Sequence, residues 1–366
     1  MTESTFIRTV QRNCDISDAR DNGIYSICTL VLKLRNLYKW EHRSEPWQEP
    51  ESAELLDWIE ARENFWKTIA AKPFEPLPVN GLHINPWDAA AVNTMLAETG
   101  LVYGAGYGRS MKAVFFLAEK IREETVEGCP VIILGEEKAT ELASPFAMLQ
   151  DGVISIRRSP LRFFFWDHIQ DIRSSSRTSL HHALDQYGVL TADGRVNQQA
   201  VREKLDAIVD GEIPIFVYHE VGEMLETTLD SGTLKTIISA FPDSAIEFVG
   251  RAIKDILADT HPRGMLSFII REQREASLGF YAGFLDGVRK VLFPEMHAAF
   301  QKFLPERDWQ LIEQARCRCR DHNLLLAGKI KEITRLIGHA PLEEIKGRFN
   351  GEILAPLGLD IPEEQS

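Results

Sequence analysis

Polar side chains recur along one face of a helix predicted over residues 217–230. His219 is followed by Glu223 and Glu226 at offsets of four and three residues, the spacing that aligns side chains on an α-helix. A histidine and a carboxylate one turn apart can share a divalent metal ion, and His297 on a second helix is a candidate further ligand. We therefore predict metal binding by His219, Glu223, Glu226 and His297. The stretch lacks the H-E-x-x-H pattern, and the alternative is the polar face of an ordinary surface helix.

An acidic residue falls within the apolar stripe of a long helix predicted over residues 263–291. Glu272 shares this stripe with methionine, phenylalanine and isoleucine side chains. A carboxylate that faces a core must be paired, protonated or bound to a cation. Glu272 is therefore our candidate catalytic residue, as a general base or a ligand in a helical cavity. The alternative is an ion pair with an arginine such as Arg251 or Arg263.

The same predicted helix carries three glycines four residues apart, Gly279, Gly283 and Gly287. Each glycine inside a helix costs about 1 kcal/mol relative to alanine. Together they form a bare ridge on which another backbone can lie close. We interpret this glycine ridge as a surface for close packing or for a helix of a partner protein.

Glycines also alternate after the apolar run 101–103, at Gly104, Gly106 and Gly108, with Arg109 directly after them. Backbone amides in such a loop can approach a phosphate, and a following helix would add its positive N-terminal end. The spacing matches neither the dinucleotide fingerprint nor the P-loop. The alternative is a bend or bulge in a strand.

A basic segment, the Arg157–Arg162 strip, offers further groups for an anion. The planar guanidinium of arginine suits phosphate or carboxylate recognition. Together with the Gly104–Lys112 loop, the strip defines a candidate anion site whose residues are Gly104, Gly106, Gly108, Arg109 and Arg158. The alternative is a set of solvated or ion-paired surface arginines.

The elements that must hold these residues fall into three segments. Apolar residues at three- and four-residue intervals predict helices over 24–42 and 51–71, which should pack as a hairpin. Three prolines, Pro73, Pro76 and Pro78, then mark a linker or the edge of a domain. Short apolar runs bordered by glycine predict strands in the middle segment, over residues 101–103, 131–134 and 153–156.

The rest of the middle segment is less regular. Helical patterns cover residues 87–98 and 137–149, while residues 112–124 fit either a helix or one strand of a hairpin. Beyond residue 174 nearly every pattern is helical, with predicted helices over 178–187, 196–210, 217–230, 232–240, 243–258, 263–291, 295–303 and 307–337.

The sequence therefore predicts an α+β, predominantly helical protein. We expect an N-terminal helical hairpin and proline-rich linker over residues 1–78, a small sheet-containing domain over 79–173, and a large all-α domain over 174–366.

Composition excludes several classes of partner. The chain has 366 residues with 41 Lys+Arg against 54 Asp+Glu, a net charge of −13, so we expect neither nucleic acid nor an anionic membrane as a partner. No apolar stretch approaches the roughly 18 residues of a membrane span, and no secretory signal is visible. Five cysteines do not suggest a disulfide framework, and we expect a cytoplasmic protein.

Two stretches, 14–20 (CDISDAR) and 100–109 (GLVYGAGYGR), resemble segments of an uncharacterised bacterial protein family. The resemblance covers most of the chain and implies no activity, because none is assigned to that family. If the two stretches mark a site, its polar members are Asp15, Asp18, Arg20 and Arg109.

The sequence contains no complete catalytic pattern and assigns no cofactor. Our favoured hypothesis is an accessory or interaction protein that binds a protein partner through its helical domain. One alternative is a metal-dependent enzyme with a carboxylate and histidine site in that domain. Another is a phosphate- or nucleotide-binding protein that holds a small anionic ligand at the Gly104–Lys112 loop and the Arg157–Arg162 strip.

Overall fold

The computed structural model describes residues 3–79, 81–108 and 111–359. The chain divides into two compact units. The N-terminal unit comprises Met1–Asp171 with Leu205–Asp210, and the helical unit comprises Ile172–Lys204 with Gly211–Ser366. The prediction of an α+β, predominantly helical protein is confirmed.

The observed division differs from the three predicted segments. Residues on both sides of the predicted boundary at 78/79 belong to the N-terminal unit. The predicted boundary at 173/174 lies close to the observed division after Asp171.

The N-terminal unit contains five helices and seven strands in its described part. Its helices are α1 (Glu3–Asp21), α2 (Ile27–Glu41), α3 (Ser52–Ile69), α4 (Ala89–Leu96) and α5 (Arg158–Gln170). Its strands are β1 (Leu77–Val79), β2 (Leu82–Ile84), β3 (Leu101–Tyr107), β4 (Ala113–Val126), β5 (Cys129–Ala139), β6 (Ala147–Gln150) and β7 (Val153–Arg157).

Strands β1 and β2 form a separate antiparallel hairpin. The other five form one sheet in the order β3-β4-β5-β7-β6, in which only β5 and β7 run parallel. The ambiguous stretch 112–124 is a strand, because β4 pairs with β3 on one side and β5 on the other.

Helix α1 is central to this unit, although we predicted no helix before residue 24. Its apolar residues Phe6, Val10 and Cys14 join one core cluster with the sheet, and Ile16 joins a second cluster with α2 and α3. Other inward positions of α1 carry polar side chains, including the buried Asp18. The apolar periodicity of α1 is therefore too incomplete to predict a helix.

The helix predicted over 137–149 is wrong, since β5 continues to Ala139 and β6 begins at Ala147. Glu137 and Glu141 have helical spacing, but both pair with the buried Arg157. Its Nε lies 2.5 Å from Glu137 and its Nη1 lies 3.3 Å from Glu141. This long-range ion-pair network overrides the local pattern.

The helical unit contains the remaining helices. They are α6 (Arg177–Gln186), α7 (Gln198–Leu225), α8 (Ser231–Ala240), α9 (Ala245–Thr260), α10 (Met265–Arg271), α11 (Glu275–Phe284), α12 (Gly287–Leu292), α13 (Glu295–Glu306), α14 (Trp309–Thr334) and α15 (Leu342–Phe349). Helix α7 also supplies Leu205–Asp210 to the N-terminal unit.

Two predicted helix boundaries in this unit are wrong. Helix α7 is continuous although Pro214 lies inside it, and the sequence had suggested two helices there. The helix predicted over 263–291 is three helices. The first break follows Glu272, where Gln273 adopts left-handed backbone with a φ of 51°. The second follows Phe284, where Leu285 and Asp286 have extended backbone.

Helix α9 is the most regular amphipathic element of the helical unit. Ser244 caps its N-terminus by accepting a hydrogen bond from the Glu247 backbone N–H. Its apolar face, which includes Val249, Ile253 and Ile256, is buried. This packing fixes the rotation of α9 and hence the direction of its acidic side chains. Among the helices described, none is long and apolar enough to cross a membrane.

Candidate metal centre

A close approach of α7 and α9 builds the site. A Cβ added to Gly222 would lie 2.1 Å from the carbonyl oxygen of Ala258 and 3.1 Å from its Cα. Only glycine allows two helix backbones to come this close. Side chains within one turn of this contact, on both helices, are therefore brought together.

Three of these side chains form a cluster with metal-ligand chemistry. One nitrogen or oxygen atom each from His219, Glu223 and Asp255 lie within 4.8 Å of one another, and all three residues are half-buried. Ligand atoms sit about 2.0–2.2 Å from an ion such as Zn²⁺. The cluster is thus close to the size that one divalent ion requires.

A second carboxylate orients the histidine. His219 Nδ1 lies 2.6 Å from Asp259 Oδ1, and Asp259 Oδ2 accepts a hydrogen bond of 2.5 Å from Arg289. A carboxylate on Nδ1 directs Nε2 outward as the ligand atom, which is the usual arrangement around metal-bound histidine. Asp255 and Asp259 are one turn apart on α9, as His219 and Glu223 are on α7.

The buried Asp259 changes the protonation of His219. Burial lowers the pKa of His219, but the Asp259 carboxylate outweighs this and raises the pKa to about 10. Burial likewise raises the pKa of Asp259, and Arg289 and His219 outweigh it, so the pKa of this carboxyl is lowered. Without a metal ion, His219 is therefore an imidazolium bonded to a carboxylate.

Two carboxylates at the centre accept no hydrogen bond from any described residue. Glu220, with 6% of its surface exposed, and Asp255 form neither a hydrogen bond nor an ion pair with any residue that the structure describes. Burial raises the pKa of Glu220 to about 7, and the charges of Glu223 and Asp255 add to this effect. Neither carboxylate has an oxygen among the fully buried atoms without a partner, so both retain contact with solvent and are available to a cation.

The cation nearest to the cluster is a lysine. Lys254, which precedes Asp255 on α9, donates a hydrogen bond from Nζ to Glu223 Oε1. Its side chain is 13% exposed. The centre therefore contains a positive group in direct contact with a candidate metal ligand.

The remaining candidate metal ligands lie elsewhere. Glu226 follows the end of α7, where it accepts hydrogen bonds from Arg320, at 2.7 Å, and from the Thr228 backbone N–H, at 2.8 Å. His297 is exposed on α13. Neither residue belongs to the cluster of ligand atoms found among the described residues.

The expectation that Glu272 faces the core is wrong. It follows the last residue of α10, its side chain is 50% exposed, and it pairs with Arg271 at 2.9 Å. The predicted continuous helix would have turned Glu272 inward, but the chain leaves helical geometry directly after it. The structural reason for a catalytic role of Glu272 therefore disappears.

The glycine ridge is covered by an element of the same unit. A Cβ at Gly279 would lie 2.7 Å from the carbonyl oxygen of Ser179, and one at Gly283 would lie 2.5 Å from the side chain of Leu180. Both contacts are with α6. Gly287 lies outside α11, so the predicted three-glycine ridge does not extend to it. The predicted close packing of Gly279 and Gly283 is thus satisfied within the unit.

The candidate anion site has a different environment from the one predicted. Gly104 and Gly106 lie in β3, and a Cβ at Gly104 would lie 2.1 Å from the Phe116 ring. Gly108 donates its backbone N–H to Lys112, closing a turn into β4. Of the two alternatives left open for the residues after the glycines, the strand is observed, because β4 follows them. The described residues directly after the loop therefore supply no helix N-terminus. Arg109 lies outside the described residues.

The arginines of the Arg157–Arg162 strip are all ion-paired. Arg157 is buried with Glu137 and Glu141. Arg158 pairs with Asp210 at 2.6 Å and Arg162 with Asp206 at 2.8 Å. Carboxylates thus already occupy the groups that were predicted to hold an anion.

The polar residues of the 14–20 stretch tie α1 to the rest of its unit. Asp18 and Lys112, both buried, pair at 2.8 Å. Asp15 pairs with Arg62 at 3.2 Å, and Arg20 donates to the carbonyl oxygens of Ala70 and Lys72. These contacts give the stretch a structural role.

Sequence reasoning missed Glu220, Gly222, Asp255 and Asp259. The available pattern was the repetition of acidic or histidine residues four positions apart on two helices, at 219/223 and 255/259. Nothing local indicates that these two pairs meet.

The two units and this centre define an α+β protein with a candidate metal site in its helical part. Residues 5–157 match the model of the N-terminal domain of a family of unknown function (DUF6866), and residues 162–352 match the model of its C-terminal domain. The chain belongs to this DUF6866 family, which confirms the resemblance to a family without an assigned activity. No curated protein and no solved structure matches the chain significantly.

Proposed function

We propose that the helical unit binds one divalent metal ion through His219, Glu223 and Asp255, and that the protein is a metal-dependent enzyme. The observation that supports this is the convergence of three ligand atoms within 4.8 Å around a histidine whose Nδ1 is held by Asp259. Metal-bound histidines almost always have such a supporting contact on the other ring nitrogen.

The charges at the centre support a divalent ion. Its four carboxylates are Glu220, Glu223, Asp255 and Asp259, and its permanent cations are Lys254 and Arg289. A divalent ion bound to a neutral histidine would balance the four negative charges. Without the ion, even a protonated His219 leaves one negative charge in excess when all four carboxylates are ionised.

The ligand set supports a catalytic site rather than a structural one. Three protein ligands leave coordination positions for water or substrate, whereas structural sites use four protein ligands. Glu220 has no hydrogen-bond donor among the described residues and is influenced by the charges of His219, Glu223 and Asp255, so we assign it the role of accepting a proton from a water molecule that the ion would activate. Metal-assisted hydrolysis is the reaction class that this arrangement favours.

Metal titration tests the site directly. We expect the protein, freed of metal with a chelator and dialysed, to bind about one Mn²⁺ or Zn²⁺ per chain by calorimetry. Glu223→Gln and Asp255→Asn should each weaken binding at least about tenfold, whereas His297→Gln and Glu272→Gln should leave it unchanged. Failure to bind either ion, or equal affinity in Glu223→Gln, would refute the proposal.

The hydrolytic role has a separate test. Glu220→Gln should retain the metal ion but lose metal-dependent turnover of a chromogenic ester or phosphoester panel. Turnover that persists in Glu220→Gln would assign the proton transfer to another group.

An interaction role is the second candidate, because α2 exposes apolar side chains. Ile27 is 82% exposed, Val31 44% and Leu32 51%. If this surface binds a partner, the tagged chain from its native host should elute in a complex that Ile27→Glu disrupts. Elution of the wild-type chain as a monomer would contradict this role. None of the five cysteines, all of which lie in the described part of the chain, forms a disulfide bond, which supports our expectation of a reducing, cytoplasmic setting.

A further inference from the structure

We propose that the metal centre accepts substrates carrying an oxyanion group, held jointly by the metal ion and by the ammonium group of Lys254. The inference rests on the proposed metal site and names the chemical class of its ligand.

Lys254 is the cation of the centre that contacts a proposed metal ligand. Among the described residues, Glu223 is its one hydrogen-bond and ion-pair partner. An ammonium group has three N–H donors, so two remain for another acceptor. The side chain is 13% exposed, which leaves it accessible from solvent while keeping it close to Glu223.

The other cation of the centre contacts Asp259, which is not one of the proposed ligands. Arg289 donates to Asp259 Oδ2 at 2.5 Å, and Asp259 also holds His219. Displacing Arg289 would leave the fully buried Asp259 without its strongest partner. Lys254 instead contacts Glu223, a proposed ligand, so we expect an anion on the metal ion to meet Lys254.

Coordination of Glu223 by the ion would weaken the hold of this carboxylate on Lys254. A carboxylate that donates electron density to a divalent ion attracts a nearby ammonium less strongly. Lys254 then has donors to offer beside the open coordination positions. An oxyanion that places one oxygen on the ion and another at the ammonium group of Lys254 would fill a coordination position and accept a hydrogen bond from Lys254.

The surrounding acids make anion binding conditional on the metal ion. Glu220, which is buried and has no partner among the described residues, lies in the electrostatic surroundings of Lys254, together with Glu223 and Asp255. Without the ion these carboxylates repel an anion. We therefore expect anion binding to the metal-loaded protein alone.

Calorimetry with inorganic phosphate and, separately, acetate tests this, using the full chain loaded with Mn²⁺ and the same chain without metal. We expect at least one of the two anions to bind the loaded wild-type protein, and neither to bind the metal-free protein. The anion that binds shows whether the centre prefers a phosphate or a carboxylate group.

The variants separate this inference from the proposed site. Lys254→Met should bind Mn²⁺ with at least wild-type affinity and lose tenfold or more in anion affinity, while Lys254→Arg should retain anion binding. Lys302→Met, on the exposed surface of α13, is the matched control and should behave as wild type.

If Mn²⁺ does not bind the wild-type chain, the proposed site itself fails and this inference fails with it. If Mn²⁺ binds but neither anion does, or if Lys254→Met and wild type bind the anion equally, the site stands and the role of Lys254 is refuted.

Discussion

Two glutamates at the end of α7 show how the surroundings of a carboxylate decide its contribution. Glu220 is buried among Glu223 and Asp255, and its pKa is raised to about 7. Burial also raises the pKa of Glu226, but hydrogen bonds from Thr228 and Arg320 outweigh it, so its pKa is lowered. The first group opposes folding when it is charged, whereas the second favours it.

Replacing Glu220 should therefore stabilise the metal-free protein at alkaline pH. Because the folded pKa lies above the unfolded value of 4.5, stability that is present below pH 4.5 is lost as the pH rises through 7. We expect Glu220→Gln to gain about 2 kcal/mol at pH 8 and little at pH 5, measured by urea unfolding in the presence of a chelator. Glu226→Gln is the matched control and should lose about 1 kcal/mol. A destabilised Glu220→Gln at pH 8 would mean that this carboxylate has a donor after all.

His219 should give the metal-free protein a second pH dependence. Its folded pKa of about 10 lies above the unfolded value of 6.5, so its stabilising effect is complete below pH 6.5 and disappears as the pH rises through 10. Between these values the wild-type free energy of unfolding should fall more steeply than that of His219→Gln, by up to about 1.4 kcal/mol per pH unit. Saturating metal should remove the difference in slope, because metal-bound histidine is neutral. Identical slopes without metal would show that the Asp259 contact does not protonate His219.

At the level of elements, Gly222 determines how closely α7 and α9 approach. An added Cβ would meet the backbone of Ala258 at 2.1 Å, and backbone cannot rotate away as a side chain can. We expect Gly222→Ala to lower the free energy of unfolding by about 2 kcal/mol and to weaken Mn²⁺ binding, since the ligands of the two helices move apart.

Gly328 provides the control for this substitution. It lies in α14, where a Cβ added to it would have no neighbouring atom within 4 Å, so Gly328→Ala should stabilise the protein by up to about 1 kcal/mol without changing metal affinity. Unchanged metal affinity in Gly222→Ala would show that the helix spacing does not set the site.

The elements that the sequence predicted well are those with complete local patterns. Helix α9, with a capping serine and an apolar residue every three or four positions, was predicted within two residues at each end. Helix α1 was missed because its inward face carries Asp18 and Ser17, whose partners come from distant residues such as Lys112. The breaks after Arg271 and Phe284 were missed because their apolar spacing continues across the turns.

For the molecule as a whole, the fold class followed from the distribution of apolar patterns, but the site did not. His219 and Glu223 were identified because one helical turn joins them. Asp255 was not, because its approach depends on a helix contact between Gly222 and Ala258, which are 36 residues apart along the chain. Glu272 was chosen for a buried position that the actual helix end does not provide.

Metal binding should protect only one of the two compact units. The proposed ligands lie on α7 and α9 within Gly211–Ser366, so binding stabilises the local structure that must open for their amides to exchange. We expect Mn²⁺ to slow hydrogen exchange in peptides covering 211–225 and 245–260, measured by mass spectrometry on the full chain, and to leave β3–β7 unchanged. Glu223→Gln should abolish the protection, and His297→Gln should preserve it. Protection that appears in the sheet and not in α7 and α9 would place the ion outside the helical unit, and the proposed ligand set would have to be abandoned.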